Sequence, residues 1–432
     1  MHVLFICNGM KHTKTTLPNG MRIITVPMKD TKSLTLLALF GTGSRYENKQ
    51  TNGVSHFLEH LFFKGTKRRP RAGAVSQALD DIGAEHNAFT AKEYTGYWVK
   101  SAAPTFSLVL DIVADILLEP LFKAEEIEKE RGVIFQELSM YVDDPRRHVH
   151  SLFESFLYGD HPMGWEIIGT PESLRGIKRE DILSYRKSHY VGSNAVLAVA
   201  GAFEENTAFS RIESAFMRLA VGVPMAHMAF SKKEKNRSRA EVEYKKTDQT
   251  HIVMGCHGYH MFDDKRFAVT LLATILGGKT SSRLFQEIRE KRGLAYTVSA
   301  GAEQFKDTGY FSVYAGVPHG KAKEVVKRIR AELYKITKRG VPESELKRAK
   351  DFWRGQFAIG LESSDEVASF YGGRELFYGT IITPEEVMAR ISQVSREDIA
   401  EAAKELFKPE SLYLTLIGPH KRPLEFESLL SV

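Results

Sequence analysis

The stretch TNGVSHFLEHLFFKGT, from Thr51 to Thr66, sets two histidines and a glutamate into an otherwise apolar run. His56, Glu59 and His60 stand at i, i+3 and i+4, positions that share one face of an α-helix. Phe57, Leu58, Leu61, Phe62 and Phe63 favour burial, so three ionisable groups among them are costly unless something satisfies them. Two imidazole nitrogens one turn apart can reach a single Zn2+, an ion that takes nitrogen and oxygen donors and keeps one position open in hydrolytic sites. The glutamate between them is poorly placed as a further ligand and well placed as a base acting on water. The order His-x-x-Glu-His reverses the commoner zinc-peptidase helix. The alternative is two histidines satisfied by carbonyls and a glutamate charge on a helix surface.

A third ligand must come from elsewhere. The charged segment KAEEIEKERGVIFQELSMYVDD offers Glu130 and Glu137, seven residues and about two helical turns apart on one face. Glu137 lies beside Val133, Ile134 and Leu138, where a carboxylate needs a partner; a lone helix glutamate is otherwise simply solvated. Two other patterns carry less. ATILGGKT, Ala273 to Thr280, fits a relaxed phosphate loop, but its body is apolar and a strand must precede it. His148 and His150 are two apart, do not share a helical face, and read as surface residues.

The elements that must position these residues follow from periodicity. TTLPNGMRIITVPMKD reads as strand, turn and strand, SLTLLALFGTGSRYE as a strand ending in a glycine-rich turn, and the histidine helix comes next. AGAVSQALDDIG is a helix, EHNAFTAKEYTGYWVKSA a strand pair, and PTFSLVLDIVADILLEP a helix before the long charged one. The second half repeats this order, with strands in EVEYKKTDQTHIVMGCHGY, a helix in RFAVTLLATILGG, a strand in GYFSVYAGVP and two charged helices after it. The expected partition is 10–222, a linker at 223–239 that includes the solvated run SKKEKNRSR, and 240–432. Strands and helices alternate without a βαβ rhythm, which predicts an α+β fold.

Composition bounds the classes. The 432 residues are 43% hydrophobic and 26% charged, ordinary globular values that suit two to four domains. A net charge of +6 with acids interspersed predicts no nucleic-acid partner. No apolar run approaches a membrane span, so no membrane association is expected. Cys7 and Cys256 provide no disulfide framework, and the start lacks the marks of a signal peptide, so a cytoplasmic location is expected; the chain could equally begin at Met10 as at Met1.

His56-x-x-Glu59-His60 followed by Glu137 resembles the pitrilysin family of metallopeptidases, which includes mitochondrial processing peptidases, insulin-degrading enzymes and bacterial peptidases of about this length. LPNG, GTGSRYE, HFLEHLFFKGT, NAFTAKEYT and SSRLFQEIREKRGLAY look like its motifs in the right order, across nearly the whole chain. The resemblance implies His56, His60 and Glu137 as zinc ligands, Glu59 as general base, and Glu130 as a carboxylate supporting the ligands. It implies Asn87 and Ala88 on an edge strand that holds the peptide, and Arg289 and Tyr296 acting on substrate and tetrahedral intermediate. It also implies two αβ-roll domains of the LuxS/processing-peptidase-like metallohydrolase type, each a mixed, mainly antiparallel sheet packed by helices. Aligning the halves puts Thr270, Ala273 and Thr274 opposite His56, Glu59 and His60, and Ala349 and Gln356 opposite Glu130 and Glu137, so one zinc per chain is expected. The implied function is a zinc metalloendopeptidase acting on peptides or unfolded segments in a dimeric clamshell, a homodimer or a heterodimer with a related chain. The alternative is a non-catalytic, peptide-binding or scaffold subunit of the same fold.

Overall fold

The computed structural model describes residues 10–232 and 238–431; Met1, Cys7 and part of SKKEKNRSR lie outside them, whereas Met10 is the first described residue. In the first half β1 (Thr13–Thr16), β2 (Arg22–Pro27) and β3 (Ser33–Phe40) precede α1 (Val54–Phe62) and α2 (Ala74–Asp80). Then come β4 (Glu85–Thr90), β5 (Thr95–Ala102), α3 (Phe106–Leu118), α4 (Ala124–Asp143), α5 (Pro145–Tyr158), α6 (Pro171–Gly176), α7 (Arg179–His189), β6 (Ala195–Gly201) and α8 (Glu205–Phe216). The second half runs β7 (Ala240–Tyr244), β8 (Thr250–His257), α9 (Arg266–Gly277), β9 (Thr297–Gln304) and β10 (Gly309–Val317). It continues with α10 (Ala322–Arg339), α11 (Glu343–Gly360), α12 (Ser364–Tyr378), α13 (Pro384–Gln393), α14 (Arg396–Leu406), β11 (Tyr413–Gly418) and α15 (Pro423–Glu427). No described helix is long and apolar enough to cross a membrane.

The repeat shows in the sheets. One has the order β1-β2-β6-β3-β5-β4, the other β7-β11-β8-β10-β9. Setting β1 aside, each opens on a parallel pair, β2 with β6 and β7 with β11, and every later pair is antiparallel. Both are mixed, mainly antiparallel sheets packed by helices, as expected. The motif-bearing β4 is an edge strand.

The continuous apolar run of β3 is explained by burial on both faces. Leu34, Leu36, Ala38 and Phe40 join a core with Phe57, Leu61, Phe62 and α3, while Leu37 and Leu39 join a second core with Val367, Ala368 and Tyr371 of α12. Gly372 allows that close approach: a Cβ there would sit 3.0 Å from Ala198 and 3.1 Å from Leu39. α5 plays the matching part in the other sheet, where Val149, Phe153 and Leu157 pack with Val253 and Ile417. Here too a glycine admits the helix, since a Cβ on Gly255 of β8 would meet Phe153 at 2.7 Å.

The compact units are therefore discontinuous. Among the described residues, one comprises 10–138, 165–228 and 356–386, the other 139–164, 229–232, 238–355 and 387–431. The two sequence halves and the two compact units are different partitions, because each half contributes one helix to the sheet of the other.

Candidate active site

The site is built on α1, whose start is set from outside the helix. Gly53 precedes it at φ +96°, a conformation that favours glycine, and a Cβ there would meet the Ile168 carbonyl at 2.6 Å. Glu47, from GTGSRYE, accepts the backbone N–H groups of Gly53 and Ser55, each at 2.7 Å, and the Asn52 amide at 2.9 Å. It thus satisfies free amides of the first turn and lays a carboxylate against the positive end of the helix. Burial pushes its carboxyl up to about 7, against the pull of these donors.

One face of α1 packs into the core through Phe57, Leu58, Leu61 and Phe62, leaving His56, Glu59 and His60 toward α4 and β4. The rings of His56 and His60 lie 4.7 Å apart at 67°. Glu137 of α4 brings Oε2 to 3.6 Å from His56 Nε2 and 3.4 Å from His60 Nε2. These three donors all lie within 4.8 Å of one another, and they form the one such metal-capable cluster found among the described residues. Ligands on a tetrahedral zinc with bonds near 2.0–2.1 Å stand about 3.3 Å apart, so the spacing suits three donors around one ion.

The second carboxylate fits a supporting part. Glu130 Oε2 lies 3.2 Å from His60 Nδ1, and its Oε1 pairs with Lys64 Nζ at 2.7 Å. Accepting the Nδ1 proton leaves the Nε2 lone pair of His60 directed at the cluster. Burial pushes His56 down to about 4, helped by the neighbouring charge of His60. Burial opposes charge on His60 as well, but Glu130, Glu137 and Glu59 outweigh it and raise the ring to about 9. Glu137 is held below the usual carboxylate range, chiefly by its bond to His60. A centre that draws positive charge among two imidazoles and a carboxylate suits a divalent cation.

Glu59 stands apart from the cluster. Its Oε2 accepts the Thr90 hydroxyl at 2.6 Å, and burial, the largest influence, raises its carboxyl. Thr90 closes β4, the strand of Asn87 and Ala88, where Asn87 Oδ1 accepts the Ala88 N–H at 2.9 Å. A groove of about 280 Å3 is lined by Glu59, His60, Phe63, Lys64, His86 and Ala88.

Arg289 and Tyr296 come together in the second unit. The Arg289 guanidinium lies 4.8 Å from the centroid of the Tyr296 ring and of the Phe285 ring, and Tyr296 is 74% exposed. The remaining patterns resolve simply. Ala273 to Gly277 belong to α9, so helix rather than strand precedes Lys279 and no phosphate loop forms. His148 Nε2 pairs with Glu243 at 2.9 Å and His150 lies on Tyr314, on separate faces of α5.

Sequence reasoning passed over Glu47, Lys64 and Thr90. Each sits inside a quoted motif, and Lys64 is four residues after His60, which was the available signal.

Comparison with known proteins agrees with this geometry. The family described as "Insulinase (Peptidase family M16)" matches residues 22–171, and "Peptidase M16 inactive domain" matches residues 176–352. An uncharacterized zinc protease of Streptomyces coelicolor is 36% identical over 94% of this chain and 90% of its own length. The uncharacterized zinc protease YmxG of Bacillus subtilis is 32% identical over 94% of this chain and 97% of its own. The crystal structure of a protease from Helicobacter pylori superposes with a TM-score of 0.89 at 26% identity, covering 95% of this chain and all of that one. On motif, fold and relatives together, the chain belongs to peptidase family M16, the pitrilysin family.

Proposed function

We propose that this protein is a zinc-dependent metalloendopeptidase that hydrolyses peptides or unfolded polypeptide segments. The observation that carries the reading is the convergence of His56 Nε2, His60 Nε2 and Glu137 Oε2, with Glu59 beside them but engaged elsewhere. Zinc held by these three residues supplies Lewis-acid polarisation of the scissile carbonyl and makes water more acidic. Oε1 of Glu59, the oxygen that Thr90 does not engage, takes the proton from the attacking water and returns it to the departing amide nitrogen. Glu130 keeps His60 in the tautomer that presents Nε2. The open edge of β4, with Asn87 and Ala88, aligns the peptide through main-chain hydrogen bonds, a mode that demands little of its sequence. Arg289 and Tyr296 donate to the developing oxyanion. A homodimer encloses the substrate, and each chain binds one zinc.

Hydrolysis of a mixed fluorogenic peptide library by wild type and Glu59→Gln tests the reading, with oligomeric state followed by sedimentation. The variant keeps shape and zinc but loses the base, so cleavage falls by about 100- to 10,000-fold. Equal cleavage by both proteins overturns the assignment of Glu59. No cleavage by either, with zinc bound, favours the peptide-binding or scaffold reading, and an active monomer removes the dimer.

A further inference from the structure

We infer that Thr90 is the positioning residue of the general base, holding the Glu59 carboxylate beside the metal cluster and preventing it from becoming a ligand. The inference rests on the peptidase reading above. Glu59 lies on the same helical face as His56 and His60, one residue from a ligand, and its own flexible side chain ends in a good zinc donor. A base that swings onto the ion is lost to proton transfer. The Thr90 hydroxyl, donating to Oε2 at 2.6 Å, is the one hydrogen bond described for that carboxylate. It selects which oxygen is engaged and leaves Oε1 for a proton.

The anchor can do this because it is itself immobile. Thr90 enters the turn between β4 and β5, closed by Ala91 N–H on the Tyr94 carbonyl at 2.8 Å. The turn is clamped to the segment after β3: Ser44 N–H donates to the Ala91 carbonyl at 3.1 Å and Arg45 N–H to the Lys92 carbonyl at 2.8 Å. Arg45 and Glu93 form a fully buried ion pair at 2.5 Å, and Thr95 Oγ1 donates to the Thr42 carbonyl at 2.8 Å. TAKEYT is thus a rigid corner, and its first hydroxyl is the part that reaches the base. A reacting group held from a rigid element keeps its geometry better than one left to its own rotamers. The corner also ends the edge strand proposed to receive the peptide, so one element aligns both the scissile bond and the base.

The test compares Thr90→Val, which keeps the shape and removes the donor, with Thr90→Ser, which keeps the donor. Wild type and Glu59→Gln run alongside. Thr90→Val is expected to lower kcat by about 10- to 100-fold, with KM within about twofold of wild type, whereas Thr90→Ser retains most of kcat. Zinc-loaded crystals of wild type and Thr90→Ser should show Glu59 Oε2 at hydrogen-bond distance from residue 90, and Thr90→Val should show it moved toward the ion. Wild-type kcat in Thr90→Val, a Thr90→Ser as impaired as Thr90→Val, or an unmoved Glu59 in the Val crystal each overturns the inference. The crystals decide it even if no peptide in the library is cleaved. A dead Glu59→Gln beside a fully active Thr90→Val removes only the role of Thr90, while a fully active Glu59→Gln removes the assignment of Glu59 as the base on which the inference rests.

Discussion

The two sheets share a strand order and differ in what their first helix carries. On α1 stand His56, Glu59 and His60; at the positions of α9 that the sequence alignment of the halves sets opposite them stand Thr270, Ala273 and Thr274. In the first unit the His60 ring faces two carboxylates of α4. In the second, Thr274 donates back to the Thr270 carbonyl at 2.9 Å and accepts the Trp353 indole N–H of α11 at 3.0 Å. Neutral hydrogen bonds there join the same two elements that the ionisable cluster joins in the first unit. The architecture therefore does not need a metal cluster between these helices. Between these matched helices, two histidines facing two carboxylates are described in the first unit and neutral hydrogen bonds in the second.

That contrast can be broken at several points. The largest expected effect is His60→Ala, which removes a proposed ligand: zinc binding should be lost and peptide hydrolysis should fall by more than about 100-fold. The matched change Thr274→Ala leaves zinc content unaltered, and metal analysis of the two purified variants makes the comparison directly. A smaller effect separates ligand from support. Glu130→Gln keeps the three donors but weakens the acceptor at His60 Nδ1, so zinc affinity drops by about 10- to 100-fold in competition with a chelator. Unchanged affinity would make Glu130 a partner of Lys64 only. The smallest effect belongs to the second unit, where Thr274→Val deprives the Trp353 indole of its acceptor. It should cost about 1 kcal/mol in denaturant unfolding without touching hydrolysis. A variant that lost activity instead would couple the two clusters.

The supports differ in how well they could be foreseen. His56, Glu59 and His60 are legible because helical periodicity places them together within five residues. Glu137 and Glu130 were both offered by the face of α4, and spacing alone did not choose between them. The choice came from resemblance; in the structure Glu137 lies near both Nε2 atoms and Glu130 at Nδ1 of His60. Lys64 and Thr90 stayed unassigned because their partners, Glu130 and Glu59, lie far along the chain, and Glu47 because the amides it accepts from precede the periodic part of the helix.

The sequence by itself determined the order of the leading elements of each half, the metal-capable helix and the doubling of the fold, since all three are written in local periods of two and 3.6 residues and their recurrence, whereas the later strands β6 and β11 that complete the sheets were not read from it. Only the tertiary structure decided that α5 and α12 cross to the other half's sheet and that a threonine at the end of an edge strand holds the Glu59 carboxylate. A side chain's distant partner follows from the packing of whole layers, where close approaches at Gly255 and Gly372 decide which helix a sheet accepts, and no local period carries that information.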